Sequence, residues 1–403
     1  MELREAVVVE ALRTPFGKYG GALRSVRPDD LAAHVIGALV ERTGIDSNSI
    51  DDVFWGAANG AGEDNRNVAR MAGLMAGLPV AVPGVTINRL CGSGLQAVVS
   101  AAREIQVGAA ELVIAGGAEG MTRAPMVMLK SESAFERGNQ TVYDTTLGWR
   151  MVNPRMEAMY PPISLGETAE NVARKYDVSR EDQDALALQS HTRAVAAQDS
   201  CAFSQEIAPI EVPAAKNERV TLSADEGPRR DTSTERLSRL RPAFDEGGSV
   251  TAGNSSPLSD GAAVVLLASR DAAARLGLRP MARFLDAATA GVHPDYMGLG
   301  PIPATRKLLM RLDLRTDDLD VIEINEAFAS QVLACVRELG IDAERINRRG
   351  GAIAIGHPLG ASGARLVATL VHQLKAGDAR FGLATMCIGV GQGISAVFER
   401  AAG

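Results

Sequence analysis

The sequence contains little of what marks several common protein classes. Its 403 residues include only 4% aromatics and 4 cysteines, which lie far apart with no CxxC pair and no cluster with histidine. This distribution argues against a disulfide framework and against a metal site such as zinc. No apolar run approaches about 18 residues, and residues 1–12 are too short and too acidic for a signal peptide. We therefore expect a cytoplasmic protein that binds no metal and does not insert into a membrane.

An excess of positive charge is also missing. Lys and Arg number 42 against 49 Asp and Glu, which gives a formal net charge of −7. Such a surface does not attract nucleic acid or an anionic membrane. The glycine-rich stretches lack GxGxxG at a first strand–helix turn and lack GKS or GKT, which argues against dinucleotide and ATP chemistry. With 46% hydrophobic and 23% charged residues, the composition is that of an ordinary globular chain.

Short β-branched runs alternate with helical patterns along the whole chain, which is typical of an α/β fold. The pattern predicts a strand at residues 7–9, then a helix that is capped by Asp29 or Asp30 and ends near Gly44. A later strand is predicted at residues 112–117, where it ends in two glycines.

An internal repeat links the two ends of the chain. A helix, its glycine stop and the following strand recur 269 residues later, with Gly94, Gly108 and Ala115 matched by Gly363, Gly377 and Ala384. The tripeptide Ile-Asn-Arg at residues 87–89 also recurs at 346–348. The repeat predicts a first α/β half at residues 1–120, completed by a strand within 250–269, an inserted loop domain at 121–249 and a homologous second half at 270–403.

Cys91 lies between a predicted strand at residues 85–88 and a glycine-rich helix from about residue 92 to 107. Free backbone N–H groups and the positive end of a helix dipole favour a thiolate over a thiol at such a position. This setting makes Cys91 a candidate nucleophile. The alternative is a small buried apolar residue, which is the commoner role of a free cysteine.

His357 lies in a tight bend at residues 350–360, which contains four glycines. Glycines let a substrate approach the backbone closely, so a histidine here is usable as a base. The alternative is a turn histidine that bonds to a local carbonyl group.

Two further polar side chains end predicted strands. Cys387 ends the strand at residues 381–386, and Asn325 ends the strand at 321–324. In α/β sheets, ligands collect at the carboxyl ends of strands, so Cys387 and Asn325 are expected to meet there. For Asn325, the alternative is an N-cap on the segment that follows.

With these residues in place, the sequence resembles the thiolase family over essentially the whole chain. The stretches that carry the resemblance are residues 88–94 (Asn-Arg-Leu-Cys-Gly-Ser-Gly), 325–329 (Asn-Glu-Ala-Phe-Ala), 350–360 (Gly-Gly-Ala-Ile-Ala-Ile-Gly-His-Pro-Leu-Gly) and 387–393 (Cys-Ile-Gly-Val-Gly-Gln-Gly), together with 250–256 and 297–301. The resemblance implies a thiolase-like fold in which the duplicated halves form a layered αβαβα core. It also implies a homodimer, or a homotetramer tied together by the loop domain.

The resemblance further implies a mechanism. Cys91 is the nucleophile that attacks the 3-oxo carbonyl of a 3-oxoacyl-CoA and forms an acyl-thioester. His357 takes the thiol proton, and Cys387 is the general acid for the departing acetyl-CoA carbanion. Asn325 holds a water that completes one oxyanion hole with His357, while the backbone N–H groups of Cys91 and Gly389 form the other. Coenzyme A then releases the shortened acyl-CoA.

Coenzyme A is accordingly a substrate, and no cofactor is expected. Ser256 and Met297 match residues of the family that line the pantetheine channel, and Arg229 matches a residue near the nucleotide end of coenzyme A. The chain has Ser164-Leu165 where short-chain biosynthetic thiolases have His-Met, which argues against a dedicated acetoacetyl-CoA pocket.

Two stretches bear on the acyl substrate. Residues 61–70 and 144–154 are similar to segments of 3-oxoadipyl-CoA thiolases, whereas residues 241–244 and 385–400 resemble fatty-acid degradation thiolases equally well. A dicarboxylate substrate needs a cation for its distal carboxylate. Within residues 61–70 and 144–154, the arginines are Arg66, Arg70 and Arg150.

The wider interpretation is a general degradative 3-ketoacyl-CoA thiolase, which acts in fatty-acid breakdown or on 3-oxoadipyl-CoA from aromatic compounds. Three other functions remain as alternatives: a biosynthetic acetoacetyl-CoA thiolase, a decarboxylating condensing enzyme of the same fold, and a non-catalytic lipid-binding relative. The condensing enzymes are expected to have a second histidine where Cys387 stands, and an idle relative is expected to lose Cys91, His357 or Cys387.

Overall fold

The computed structural model describes residues 3–214 and 218–401, which form a mixed α/β fold. The strands are β1 (Ala6–Arg13), β2 (Gly17–Lys18), β3 (Asp52–Gly56), β4 (Val85–Ile87), β5 (Leu112–Gly120), β6 (Met126–Val127), β7 (Tyr143–Asp144), β8 (Ile210–Pro213), β9 (Arg219–Leu222), β10 (Ser259–Ser269), β11 (Ala282–Gly291), β12 (Val321–Ile324), β13 (Phe381–Ile388) and β14 (Gln392–Arg400). The helices are α1 (Pro28–Thr43), α2 (Val68–Met75), α3 (Ser93–Gln106), α4 (Pro154–Met159), α5 (Leu165–Lys175), α6 (Arg180–Asp199), α7 (Thr234–Ser238), α8 (Arg270–Arg275), α9 (Pro301–Leu312), α10 (Ala329–Leu339), α11 (Ala352–Ile355) and α12 (Leu359–Ala376).

The main sheet shows the same strand arrangement on its two sides. Its order is β12-β13-β14-β11-β1-β10-β5-β3-β4, and β2 pairs with β10. On one side β3 lies parallel to β5 and β4, and on the other β12 lies parallel to β13. Ile346 forms a parallel bridge to Ile322 of β12. The second copy of the Ile-Asn-Arg tripeptide therefore begins beside β12, as the first copy begins beside β3.

Helices α3 and α12 pack against each other at the centre, and their apolar side chains form one core with side chains from strands of both sides. Helices α1 and α2 cover the outer face of one side, and α9 and α10 cover the other. The predicted α/β class is confirmed, and its layered order places the N-termini of α3 and α12 together. The part of the chain that the structure describes contains no helix both long and apolar enough to cross a bilayer.

Some predicted boundaries are wrong. Helix α1 begins at Pro28 with Arg27 as its N-cap, and neither aspartate caps it, because Asp29 instead pairs with the Arg27 guanidinium at 2.7 Å. Strand β5 does not end at Gly116-Gly117 but continues to Gly120. The glycines are needed for close packing rather than for a turn, since a Cβ on Gly117 would overlap the carbonyl oxygen of Gly360.

Candidate functional site

Cys91 and the bend that carries His357 are brought together by two helix N-termini. Cys91 follows β4 and precedes α3, while His357 precedes α12. The two helices approach so closely that a Cβ on Gly94 would lie 2.5 Å from the carbonyl oxygen of Gly360. Only glycine allows this approach, so the glycines of both motifs position the two candidate groups.

A cavity of about 370 Å³ opens at Cys91. The backbone of Gly389 and the side chains of Glu119, Trp149 and Arg150 are among the groups that line it. Cys91 itself is 7% exposed. The sulfur is therefore reachable from one side only, through this cavity.

The thiol of Cys91 is not activated in the way that the sequence predicted. Burial raises its pKa to about 11, although hydrogen bonds from the backbone amides of Gly389 and Cys91 lower it, and the charge of Glu119 raises it further. The loss of hydration outweighs the helix N-terminus. At neutral pH Cys91 is a thiol, and the two amides that the resemblance assigned to an oxyanion hole already converge on its sulfur.

His357 is held in one tautomer. The hydroxyl of Ser362 donates to the carbonyl of Pro358 at 2.8 Å, so it must accept from His357 Nδ1, which lies 2.6 Å away. Nε2 is then unprotonated and accepts from Asn325 Nδ2 at 3.3 Å. Burial, together with the charge of Arg365, lowers the pKa of His357 to about 3. The imidazole is neutral at physiological pH, with its lone pair on Nε2.

Asn325 lies beside this histidine rather than at a helix N-terminus. Helix α10 begins at Ala329 with Phe328 as its N-cap, so the N-cap alternative for Asn325 is wrong. Asn325 is fully buried, and among the described protein groups none donates to its Oδ1. This oxygen is a free acceptor next to His357.

Cys387 lies inside β13, which continues one residue further to Ile388 than predicted. Its side chain is 2% exposed and packs with Met297, Ala327 and Phe328. Burial raises the pKa of Cys387 well above its usual range, and repulsion from Cys91, when that thiol ionises, raises it further. Cys387 is therefore a protonated thiol, and it lies close enough to Cys91 for that group to influence its pKa.

Arg229 lies in a second cavity, of about 420 Å³, and Ser256 lies beside it. Lys18, Arg229 and Arg236 line this cavity together with the two neighbours of Ser256 in sequence. Ser256 itself is half-buried, and its backbone N–H donates to the carbonyl of Ala327 at 3.0 Å. Asp231 also lines this cavity and pairs with Arg236, which leaves Lys18 and Arg229 as the cations that favour an anionic ligand.

The three candidate arginines have different surroundings. Arg150 lines the cavity at Cys91, where its Nη2 donates to Asn59 Oδ1 at 3.1 Å, and it has no ion pair within the described ranges. Arg70 donates to the backbone carbonyls of Val80 and Val82, and Arg66 is exposed. Neither Arg66 nor Arg70 lines the cavity, so Arg150 is the one candidate of the three for contact with an acyl substrate.

Sequence reasoning missed Glu119, Asn59 and Ser362. Glu119 is the only charged residue of the apolar strand β5, and that exception was a usable signal. Asn59 and Ser362 carry no comparable signal, because Asn59 is a small polar residue in a glycine-containing loop and Ser362 is one in the first turn of α12. Their contacts to Arg150 and His357 arise only from packing.

Comparison with known proteins gives a consistent result. Residues 6–271 match the family model "Thiolase, N-terminal domain", and residues 278–400 match "Thiolase, C-terminal domain". The beta-ketoadipyl-CoA thiolase of Pseudomonas aeruginosa is 56% identical over 400 residues, covering 98% of this chain and 99% of that protein. The 3-oxoadipyl-CoA/3-oxo-5,6-dehydrosuberyl-CoA thiolase of Escherichia coli is 53% identical over 401 residues, covering 99% and 100%.

A solved structure agrees in fold. The crystal structure of the Bacillus anthracis acetyl-CoA acetyltransferase superposes with a TM-score of 0.93 at 41% identity, covering 99% of this chain and 100% of that one. The thiolase-like fold that the sequence motifs implied is thereby confirmed.

Proposed function

This chain belongs to the thiolase family, and from that premise we propose that it cleaves 3-oxoadipyl-CoA with coenzyme A to give acetyl-CoA and succinyl-CoA. The acyltransferase activity predicted from the motifs is confirmed by the family and by its relatives. Our proposal goes beyond this activity in two respects: it names the acyl substrate, and it assigns a role to each residue of the site.

In the first half-reaction, Cys91 Sγ attacks C3 of the substrate and its proton passes to His357 Nε2. The neutral imidazole with a lone pair on Nε2 supports this role. The C2–C3 bond then breaks, its electron pair stays on C2, and Cys387 Sγ–H protonates that carbon. The raised pKa of Cys387 keeps its proton available at neutral pH.

In the second half-reaction, the thiol of coenzyme A attacks the acyl group on Cys91 and its proton passes to the Cys387 thiolate. The bond from the acyl carbon to Cys91 Sγ then breaks, the sulfur regains its proton from His357, and succinyl-CoA is released. The backbone N–H groups of Cys91 and Gly389 stabilise one oxyanion. Both already hydrogen-bond to the Cys91 sulfur, which bonds to the carbon whose oxygen takes up the negative charge. Asn325, with its free Oδ1, holds a water that serves a second oxyanion hole with His357.

Coenzyme A is the co-substrate, and no cofactor takes part. We place its pantetheine near Ser256 and Met297 and its anionic nucleotide end at the cavity of Arg229, Lys18 and Arg236. The working unit is a homodimer or homotetramer in the cytoplasm. Large exposed apolar side chains between β5 and α5 support self-association, among them Met126, Phe135 and Met159.

The single observation that carries the dicarboxylate substrate is Arg150 in the cavity at Cys91, without a carboxylate partner in the part of the chain that the structure describes. A half-buried guanidinium that pairs with a carboxylate contributes roughly 1.5–3 kcal/mol, which is about ten- to hundredfold in kcat/KM. The hydrogen bond from Arg150 Nη2 to Asn59 Oδ1 orients this guanidinium.

The test compares kcat/KM for 3-oxoadipyl-CoA with that for neutral 3-oxohexanoyl-CoA of the same chain length. We expect a preference of at least about tenfold for the dicarboxylate, and Arg150→Met should collapse it without changing kcat/KM for the neutral substrate. Arg66→Met and Arg70→Met are matched controls that should keep the preference. A parent enzyme that favours neutral substrates would instead support fatty-acyl degradation or acetoacetyl-CoA synthesis.

A further inference from the structure

Glu119 is a buried carboxylate whose hydrogen-bond donors are all backbone amides. It is 3% exposed and lines the cavity at Cys91. Its Oε2 accepts from the N–H groups of Ala58 and Gly360 at 2.9 and 2.8 Å, and its Oε1 accepts from the N–H of Asn59 at 3.2 Å. No lysine, arginine or histidine of the described ranges forms an ion pair with it.

These amides belong to two segments that are distant in sequence. The side chain of Asn59 donates to Thr145 and accepts from Arg150 at 3.1 Å. Thr145 and Arg150 both line the cavity at Cys91, on the wall that would face the acyl group in the proposed function. Gly360 is the second residue of α12 and lies three residues after His357. One carboxylate therefore joins the wall that would face the acyl group to the bend that presents the candidate base.

We propose that Glu119 is a positioning residue, whose ionised carboxylate holds the loop at Ala58-Asn59 and the start of α12 in the arrangement that catalysis requires. Only the ionised form does so, since a protonated carboxyl must donate its hydrogen and thereby loses acceptor capacity toward three N–H groups. The proposal rests on the thiolase chemistry proposed above but not on the dicarboxylate substrate.

Ionisation of Glu119 falls in the physiological range. Burial raises its pKa to about 7 against the lowering effect of the amides, and the carboxylate of Asp64 raises it further. The groups that face it are Asp64 from the loop before α2, Cys91 from the turn before α3, and the N-terminus of α12. Activity should therefore fall as the pH drops through about 7, because the carboxylate becomes protonated.

A loss of activity at low pH, the acid limb of a pH profile, is usually caused by protonation of a catalytic histidine. Here the histidines at the two cavities do not account for it. Burial lowers the pKa of His357 to about 3, and it lowers that of His191 at the second cavity to about 4. Neither imidazole changes charge near pH 7. Burial also raises the pKa of Glu323 to about 7, but Glu323 pairs with Arg365 and does not line the cavity at Cys91. We therefore assign the acid limb of kcat/KM to Glu119, and its substitution tests the assignment.

The test is the pH profile of kcat/KM for a neutral 3-oxoacyl-CoA between about pH 5.5 and pH 8. The parent should lose activity about tenfold per pH unit below the limb, whereas Glu119→Gln should be roughly tenfold less active at pH 8 and flat across the range. Asp260→Asn is the matched control, since Asp260 is a buried carboxyl on the adjacent strand β10 that accepts from Thr122 and does not line the cavity. It should keep the acid limb.

A parent that is active but flat between about pH 6 and pH 8, or a limb that survives in Glu119→Gln, would overturn the proposal. If Glu119→Gln does not fold, Asp64→Asn tests the proposal instead. Removal of this neighbouring carboxylate should lower the pKa of Glu119 and move the acid limb to lower pH. A limb that does not move would contradict the assignment to Glu119. A parent inactive toward every 3-oxoacyl-CoA would contradict the proposed function instead.

Discussion

At the scale of single residues, burial sets the protonation of the site. It raises the pKa of Cys91 to about 11 and lowers that of His357 to about 3, so Cys91 keeps its proton and His357 is neutral in the substrate-free protein. A separated thiolate–imidazolium pair is costly in such a place. In the proposed mechanism, proton transfer to His357 therefore has to accompany formation of the carbon–sulfur bond, when the proposed oxyanion hole takes up the developing charge.

The two cysteines at the site should be separable by mutation. Cys387→Ala should lower cleavage of a 3-oxoacyl-CoA by about a hundredfold or more, because the carbanion loses its proton donor. Exchange of labelled coenzyme A into an acyl-CoA should remain detectable, since it needs only the acyl-cysteine. Both rates are measurable on the same preparation.

Cys335→Ala is the matched control for this pair of measurements. Cys335 is also fully buried, but its thiol donates to the carbonyl of Gly298 at 3.3 Å. Its removal should leave cleavage and exchange in their parent ratio. Near-normal cleavage by Cys387→Ala would show that the proton comes from another group.

At the scale of elements, the site depends on how closely α3 and α12 approach. A Cβ on Gly363 would overlap the backbone nitrogen of Leu95, and backbone cannot move aside as a flexible side chain can. The repeat already matches Gly363 with Gly94, so both helices have glycine at the crossing. This contact fixes the distance between the two helix N-termini.

Gly363→Ala should accordingly lower the free energy of unfolding by at least about 2 kcal/mol, as overpacking of a closed contact does. Gly37→Ala is the control, since Gly37 lies inside α1 with open space where a Cβ would be, and it should raise stability by roughly 0.5–1 kcal/mol. Denaturant unfolding measures both. Equal effects of the two substitutions would mean that the helices do not need the close approach.

At the scale of the whole molecule, buried charges tie the inserted segment to the central sheet. Arg13 at the end of β1 donates to Glu206 at 2.7 Å and to both carboxylate oxygens of Asp225 at 2.7 and 3.0 Å. The side chains of Arg13 and Glu206 have no solvent exposure. Glu206 and Asp225 both lie between α6 and β10, so one guanidinium joins the insertion to the sheet.

Asp225→Asn should destabilise the protein by about 3–5 kcal/mol, because it leaves a buried guanidinium without one of its two counter-charges. Arg230→Met is the control: Arg230 pairs with Asp199 through two similar hydrogen bonds of 2.8 and 2.6 Å, but on the surface. It should give no measurable change in stability. Thermal unfolding at low and high salt distinguishes the two, and a salt-sensitive loss for Asp225→Asn would contradict its buried role.

The sequence by itself determined the α/β class, the family and the thiolase activity, which the comparisons confirm. These follow from local signals: a cysteine before a glycine-rich helix, a histidine in a glycine-rich bend, and a polar residue at a strand end. Each signal lies within about ten residues, where backbone geometry restricts which residue types fit. The roles of Cys91, His357, Cys387, Asn325 and Gly389 stay predictions, as do those of Ser256, Met297 and Arg229.

Only the tertiary structure decided which arginine faces the cavity, in which protonation state Cys91 and His357 rest, and that Glu119 joins two distant segments. The sequence treated Arg66, Arg70 and Arg150 alike and expected a thiolate at Cys91. The reason is physical: burial and hydrogen-bond partners depend on groups far apart in sequence, such as Glu119 and Gly360, which are 241 residues apart, and no local pattern encodes them.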